Sequence, residues 1–239
     1  FSFEVAVILQ HGMQRMLTEQ VDEYYYITLM NENYVHPEMP EGAAEGIIRG
    51  MYKLSGPGTR DPGPGKGKSK KVAPHVNLLG SGTILREAMA AADLLAADFG
   101  LASDIYSCPS FNELGRDGVD VERHNRLHPL AEQRVPYVSQ VLAKATGPTI
   151  AATDYVRAYS EQIRPYLPHG MRYTALGTDG FGRSDTRANL RRFFEVDRYQ
   201  IAVAALSALA DEGTIERKVV AEAIKKYGID VDRPNPGTV

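Results

Sequence analysis

The residues whose types and spacing could do chemistry sit in three turns that follow strand-like runs. The richest is Gly177-Thr178-Asp179-Gly180-Phe181-Gly182-Arg183-Ser184-Asp185-Thr186-Arg187. Glycines at 177, 180 and 182 suit a tight backbone path with positive φ. Ser184, Asp185 or Thr186 can cap a helix that starts there. Arg183, Arg187, Arg191 and Arg192 recur at spacings near four, so several share a helix face and could clamp a carboxylate, a phosphate or a partner's acid. The same turn can instead be an interdomain or subunit contact in which Asp179 and Asp185 pair with these arginines. In the second turn, Gly80-Ser81-Gly82-Thr83 opens a helix and could cradle an anion on free amides. It lacks the third glycine of a dinucleotide fingerprint and an acidic ribose ligand, and Gly80 and Gly82 equally suit close strand-to-helix packing. The third turn follows Cys108, a lone cysteine at an apolar strand end, which reads as a small core residue more readily than as a nucleophile.

Other chemistries find no footing. The six histidines, His124 and His128 included, lack metal-ligand spacing with an intervening acid. No serine occupies a nucleophile-elbow context. One cysteine excludes an internal disulfide and any cysteine-built zinc site. With 27 basic and 30 acidic residues the net charge is −3, no footprint for nucleic acid. No apolar run approaches the ~20 residues that span a bilayer. The chain opens on Phe1 without a signal-peptide pattern and reads as a piece of something longer. No metal ligand and no catalytic residue are assigned.

The elements that must position these turns alternate in type. Residues 1–17 fit either a strand or one face of a helix. Tyr24 to Met30, three tyrosines followed by Ile27, Thr28 and Leu29, reads as a strand buried on both faces. Ile47 to Leu54 reads as a short extended strand. Residues 55–74 are different in kind: Pro and Gly fill nine of twenty positions and four lysines cluster, which predicts a surface linker. From Val76 onward, strands are expected at 76–80, 104–108, 148–153 and 172–176. Helices are expected at 85–99, 119–127, 155–167, 199–210 and 215–227. Such alternation means an α/β fold of three layers, a mostly parallel sheet with helices on both faces.

Several blocks carry a resemblance. Tyr24-Tyr25-Tyr26-Ile27-Thr28-Leu29-Met30-Asn31-Glu32-Asn33-Tyr34 followed by Pro40-Glu41-Gly42 resembles the homodimeric type of pyruvate dehydrogenase. So do Leu79-Gly80-Ser81-Gly82 with Ile84-Leu85-Arg86, Arg116-Asp117-Gly118, Leu127-His128-Pro129-Leu130, and the turn from Gly177 to Asp185. The resemblance runs from Phe3 to the carboxyl end, and residues 55–74 depart from it as an insertion. It implies a transketolase-like carboxyl-terminal domain over 76–239 and a linker over 35–75. Residues 1–34 would then be the last helix and strand of a pyrimidine-binding domain, with the helix at Glu4 to Leu17.

The resemblance also implies an activity for the longer protein, a cytoplasmic homodimer. With thiamine diphosphate and magnesium it would decarboxylate pyruvate and acetylate the lipoyl group of dihydrolipoyl acetyltransferase. The Gly-Asp-Gly stretch with a downstream Asn that such a cofactor needs is not found here. This piece is therefore expected to bind neither cofactor alone, to be inactive alone and to stabilise the dimer. Only Asn31 and Asn33 correspond to a place where transketolase relatives contact substrate, and a structural role for that turn stands beside it. Two rival readings stay open: a piece of another transketolase-superfamily enzyme, or a free-standing anion- or partner-binding module using the arginine-rich turn.

Overall fold

The computed structural model describes residues 1–56 and 74–239. The run Val76-Asn77-Leu78-Leu79 forms β2 (His75–Gly80), the middle strand of five. Successive side chains of a strand point to opposite faces, so Leu78 enters one core and Leu79 the other, each with no exposed surface. Such a strand reads as continuously apolar because both faces are covered.

Strand β3 (Ala102–Ser107) lies parallel to β2 on one side. Strand β4 (Thr149–Ala152) lies parallel to it on the other, followed by β5 (Tyr173–Leu176), parallel to β4. Outside β3 runs β1 (Tyr52–Ser55), which is antiparallel. The order is β1-β3-β2-β4-β5.

One face is covered by α3 (Ile84–Phe99), α8 (Arg198–Asp211) and α9 (Arg217–Lys226), through Leu85, Leu95, Ile201, Leu206 and Ala223. The other is covered by α4 (Phe111–Leu127) and α5 (Tyr137–Leu142), through Leu114, Val138 and Leu142, with Cys108 at the strand end. The expected three-layer, mostly parallel α/β fold is the fold observed.

The amino-terminal residues form α1 (Ser2–Met13) and a π-helical turn, Gln14–Thr18, as the resemblance implied. Phe3, Val7 and Ile8 pack on Ala43, Ile47 and Tyr52. The buried Glu4 carboxylate accepts from the Tyr52 hydroxyl at 2.8 Å and from the Ser107 hydroxyl. Helix α1 is thereby pinned to the β1/β3 edge.

Four expectations differ. The tyrosine run at Tyr24–Met30 makes no strand, because no strand of the described residues lies beside it to pair its backbone. Tyr24 and Tyr26 are each 87% exposed. Residues 47–54 divide into the end of α2 (Ala43–Ile48) and β1, since Gly50, at φ +94, turns the chain between them. Helix α4 begins at Phe111 rather than Val119, capped by the Ser110 hydroxyl. Gly115 and Gly118 disguise that helix in the sequence. At Gly118 the Tyr166 ring would stand 2.2 Å from a Cβ, too close for one, and at Gly115 the Gln162 side chain would stand a tight 3.2 Å away. Residues 155–167 hold only the single turn α6 (Ala158–Glu161) and a 3₁₀ turn at Arg164–Tyr166, where Pro165 has no N–H to continue a helix. Helix α5 was not anticipated. Most of the expected linker, 57–73, lies outside the described residues.

Candidate functional site

Open parallel sheets bind ligands beyond the carboxyl ends of their strands. Here those ends are crossed by residues 28–34 of the amino-terminal segment. The Thr28 and Tyr155 hydroxyls bond to each other above β4. The Asn31 carbonyl accepts from the guanidinium of Arg187, on α7 (Arg187–Phe193).

Side chains then alternate: Glu32 and Tyr34 are half-buried against the domain, whereas Asn31 and Asn33 are exposed. Glu32 accepts from Arg86 at 2.9 Å and from Arg191 at 2.7 Å, with Arg187 at 4.0 Å. Arg86 lies over the Tyr34 ring, 4.3 Å from its centre, a cation–π contact.

Arg191 reaches onward to the buried Glu87 at 3.4 Å, and Arg198 grips Glu87 in a fork at 2.9 and 3.1 Å. Glu87 is only 6% exposed and also accepts the Arg198 backbone N–H. Burial pushes both carboxyls up. The Arg191 hydrogen bond at Glu32, and the Arg198 one at Glu87, with the charges around them, outweigh it, so both end below the ordinary glutamate range.

The glycine turn after β2 is a packing device: a Cβ on Gly80 would stand 2.5 Å from the Leu85 Cα. Beside Gly82 stands Asp154, whose carboxyl is pushed up by burial. After β5, Asp179 accepts the backbone N–H of Arg157 at 3.1 Å and its guanidinium. Gly180 holds φ +99 with the Pro236 carbonyl where a Cβ would go. Gly182, Arg183 and Ser184 are exposed, and Arg183 lies 5.3 Å from the Phe193 ring centre. Asp185 accepts from the Asn189 side chain and the Thr186 N–H, in that order of effect, which lowers its pKa. Of the three candidate caps, Thr186 is the one in the cap position, accepting the Asn189 N–H.

The structure thus brings Asn31 beside Arg187 and sets Gly80 and Gly82 next to the same network through Thr83, whose hydroxyl is 3.4 Å from Arg191. It does not pair Asp179 or Asp185 with the arginines of the turn, as one reading held. Of those arginines, Arg187 and Arg191 reach Glu32, and Arg191 reaches Glu87 as well. Glu32, Glu87, Arg86 and Tyr34 were not singled out by sequence reasoning. The available signal was an acid between two asparagines in an alternating run, and an acid within the apolar stripe of α3. Cys108 is fully buried and burial pushes its thiol up, so it carries no thiolate chemistry. His124 and His128 stack with ring centres 4.3 Å apart, and no group of three or more His, Cys, Asp or Glu among the described residues could hold a metal ion.

Residues 66–197 match the family model of the transketolase-like TK C-terminal domain, and residues 1–37 match that of the pyruvate dehydrogenase E1 component middle domain. The chain is 57% identical over 239 residues to the pyruvate dehydrogenase E1 component of Cupriavidus necator, covering all of this chain and 25% of that protein. It is 56% identical over 236 residues to that of Pseudomonas aeruginosa, covering 99% and 25%. The Escherichia coli K12 protein is 53% identical over 237 residues, again covering 99% and 25%. The chain therefore spans about a quarter of the length of these relatives. Among solved structures, transketolase from Leishmania mexicana aligns with a TM-score of 0.42 at 17% identity, covering 70% of this chain and 19% of that one. Transketolase from Campylobacter jejuni aligns at 0.41 and 19%, covering 66% and 18%.

Proposed function

The chain belongs to the transketolase-like TK C-terminal domain family, and from that membership we propose that it is the carboxyl-terminal quarter of a pyruvate dehydrogenase E1 component. The observation that carries this reading is identity of 53–57% along essentially the whole chain to three such components, including the segment matched to their middle domain. The longer protein would decarboxylate pyruvate and pass the acetyl group to the lipoyl arm of dihydrolipoyl acetyltransferase. It would act as a homodimer in the cytoplasm. No helix of the described residues is long and apolar enough to cross a membrane.

Thiamine diphosphate, when bound, supplies the electron sink for loss of carbon dioxide. The described residues do not fit that group or its magnesium. Arg86, Arg187 and Arg191 are turned onto Glu32, Arg157 is turned onto Asp179, and beside Gly82 stands the carboxylate of the half-buried Asp154, an acceptor that would repel a diphosphate. Binding of the cofactor is therefore assigned to the rest of the protein. The part played here is scaffolding: a sheet with two dry faces, an amino-terminal helix pinned through Glu4, and residues 28–34 fastened across the strand ends. Asn31 and Asn33 are among the residues left facing outward, and we propose that they lie near the substrate. The reading of a free-standing anion module has less support, because two of the four arginines of its site, Arg187 and Arg191, are engaged by Glu32.

The test is turnover by the complete polypeptide supplied with thiamine diphosphate and magnesium. Release of carbon dioxide from pyruvate, with ketose phosphates untouched, is the expected result. Turnover of ketose phosphates in preference to pyruvate overturns the reading.

A further inference from the structure

Away from the strand ends, an open groove of about 410 Å³ runs between α4 and the 3₁₀ turn at Arg164–Tyr166. Arg116, Val119, Asp120 and Arg123 line it from one stripe of α4, and Gln162 and Tyr166 line the opposite wall. Val119 is 57% exposed there, unusual for an aliphatic side chain with the Tyr166 ring across the groove from it. The charges around the groove are unevenly matched. Glu113 pairs with Arg116 at 2.6 Å, Glu122 with Arg126 at 3.9 Å and Asp120 with Arg134 at 3.8 Å. Arg123 is exposed and has no acidic partner among the described residues. Arg116, at the other end, is held only by an exposed pair, which contributes little and is readily exchanged. The groove is therefore apolar at its centre, with a guanidinium at each end.

We propose that this groove docks an extended segment of a partner protein in which an apolar side chain stands between two acids, in the order acid-x-apolar-x-acid. Seven positions separate Arg116 from Arg123, about 10 Å along a helix. Every second side chain of an extended segment points the same way, so its two acids stand about 13 Å apart with the apolar side chain midway. The flexible arginine stems reach outward over that difference, and each guanidinium offers a fork that matches a carboxylate. The central side chain then covers Val119 and the Tyr166 ring, removing apolar surface from water. Such docking is independent of the activity proposed above and adds an interaction surface to the scaffold.

The probe is a fluorescein-labelled peptide, Glu-Ala-Leu-Ala-Glu, titrated with the complete polypeptide and read by fluorescence anisotropy. Saturable binding with Kd on the order of 0.1 mM is expected, weakening at least about fivefold between about 0.05 and 0.5 M salt as the exposed charges are screened. The peptide Lys-Ala-Leu-Ala-Lys should not bind, and Glu-Ala-Ser-Ala-Glu should bind about tenfold more weakly for want of the apolar anchor. Arg123→Glu should weaken binding about tenfold by turning attraction into repulsion, and Val119→Ser about fivefold. Both sites are exposed, so thermal unfolding should be unchanged. No saturation by about 1 mM overturns the docking site. Equal binding of the lysine peptide, or full affinity in Arg123→Glu, overturns recognition by charge. Full affinity in Val119→Ser overturns the apolar seat. A changed oligomeric state of Arg123→Glu in sedimentation assigns the groove to contact between copies and overturns the partner segment.

Discussion

The sheet with its covering helices and the segment from residue 19 to residue 40 are held by opposite means. In the first, Leu78, Ile105 and Ile150 stand opposite one another on neighbouring strands, and each is at most 1% exposed. Burial of apolar area carries the stability there. In the second there is no helix or strand, Tyr24 and Tyr26 are largely exposed, and the order comes from ion pairs such as Arg15–Glu23 at 2.6 Å and Arg191–Glu32 at 2.7 Å. The contrast teaches that sheet and helices are specified by neighbours in sequence, while the segment across their ends is specified by residues far along the chain. The two hydrogen-bond partners of Glu32 lie 54 and 159 positions away.

Substitution in the dry region should cost most. Leu78→Ala is expected to destabilise the protein by about 3 kcal/mol, from lost transfer energy plus the cavity left behind, read as a lowered denaturant midpoint. A loss below about 1 kcal/mol would mean that the sheet centre is less closely packed than its burial implies.

Next comes Glu87→Gln, which removes the charge shared by Arg191 and Arg198 at the seam between the regions. Loss of charge-assisted hydrogen bonds there is expected to cost about 2 kcal/mol at neutral pH. The pH dependence sharpens this. Glu32 and Glu87 have folded-state pKa values lowered by their arginines. Their contribution is therefore complete above the unfolded value, about 4.3, and fades as pH falls through the lower folded values. Stability should decline below that pH with a slope that flattens in Glu87→Gln. An identical acid limb in the variant would remove Glu87 from the account.

Removal of the cap in Thr186→Ala should cost about 1 kcal/mol, measured by thermal unfolding. At the weak end, Tyr24→Ser should change stability by no more than about 0.5 kcal/mol, as for an exposed site without special contacts. A large loss there would mean that the amino-terminal segment has a packing role this chain does not reveal.

What was legible in the sequence follows the same division. The strand at Val76–Gly80, the helix stripe from Leu85 to Phe99 with its glycine stop, and the fold class were readable, because the periods of 2 and 3.6 are local properties. Helix α4 was half hidden, since Gly115 and Gly118 serve Gln162 and Tyr166 rather than the helix they occupy. The break after Tyr155 was obscured by an apolar pattern that outlasts the backbone able to follow it, which Pro165 ends. The tyrosine run has strand composition, but pairing is a property of two segments and its partner is not among the described residues. At the candidate site, the arginine turn could be found from spacing. Its acceptors could not, because Glu32 and Glu87 reach it only through the fold.

Calorimetric titration of thiamine diphosphate with magnesium into the 239-residue chain and into the complete polypeptide tests the central claim most directly. The account predicts saturable heat from the complete polypeptide and none from the chain by itself. Saturable binding to the chain alone would contradict it.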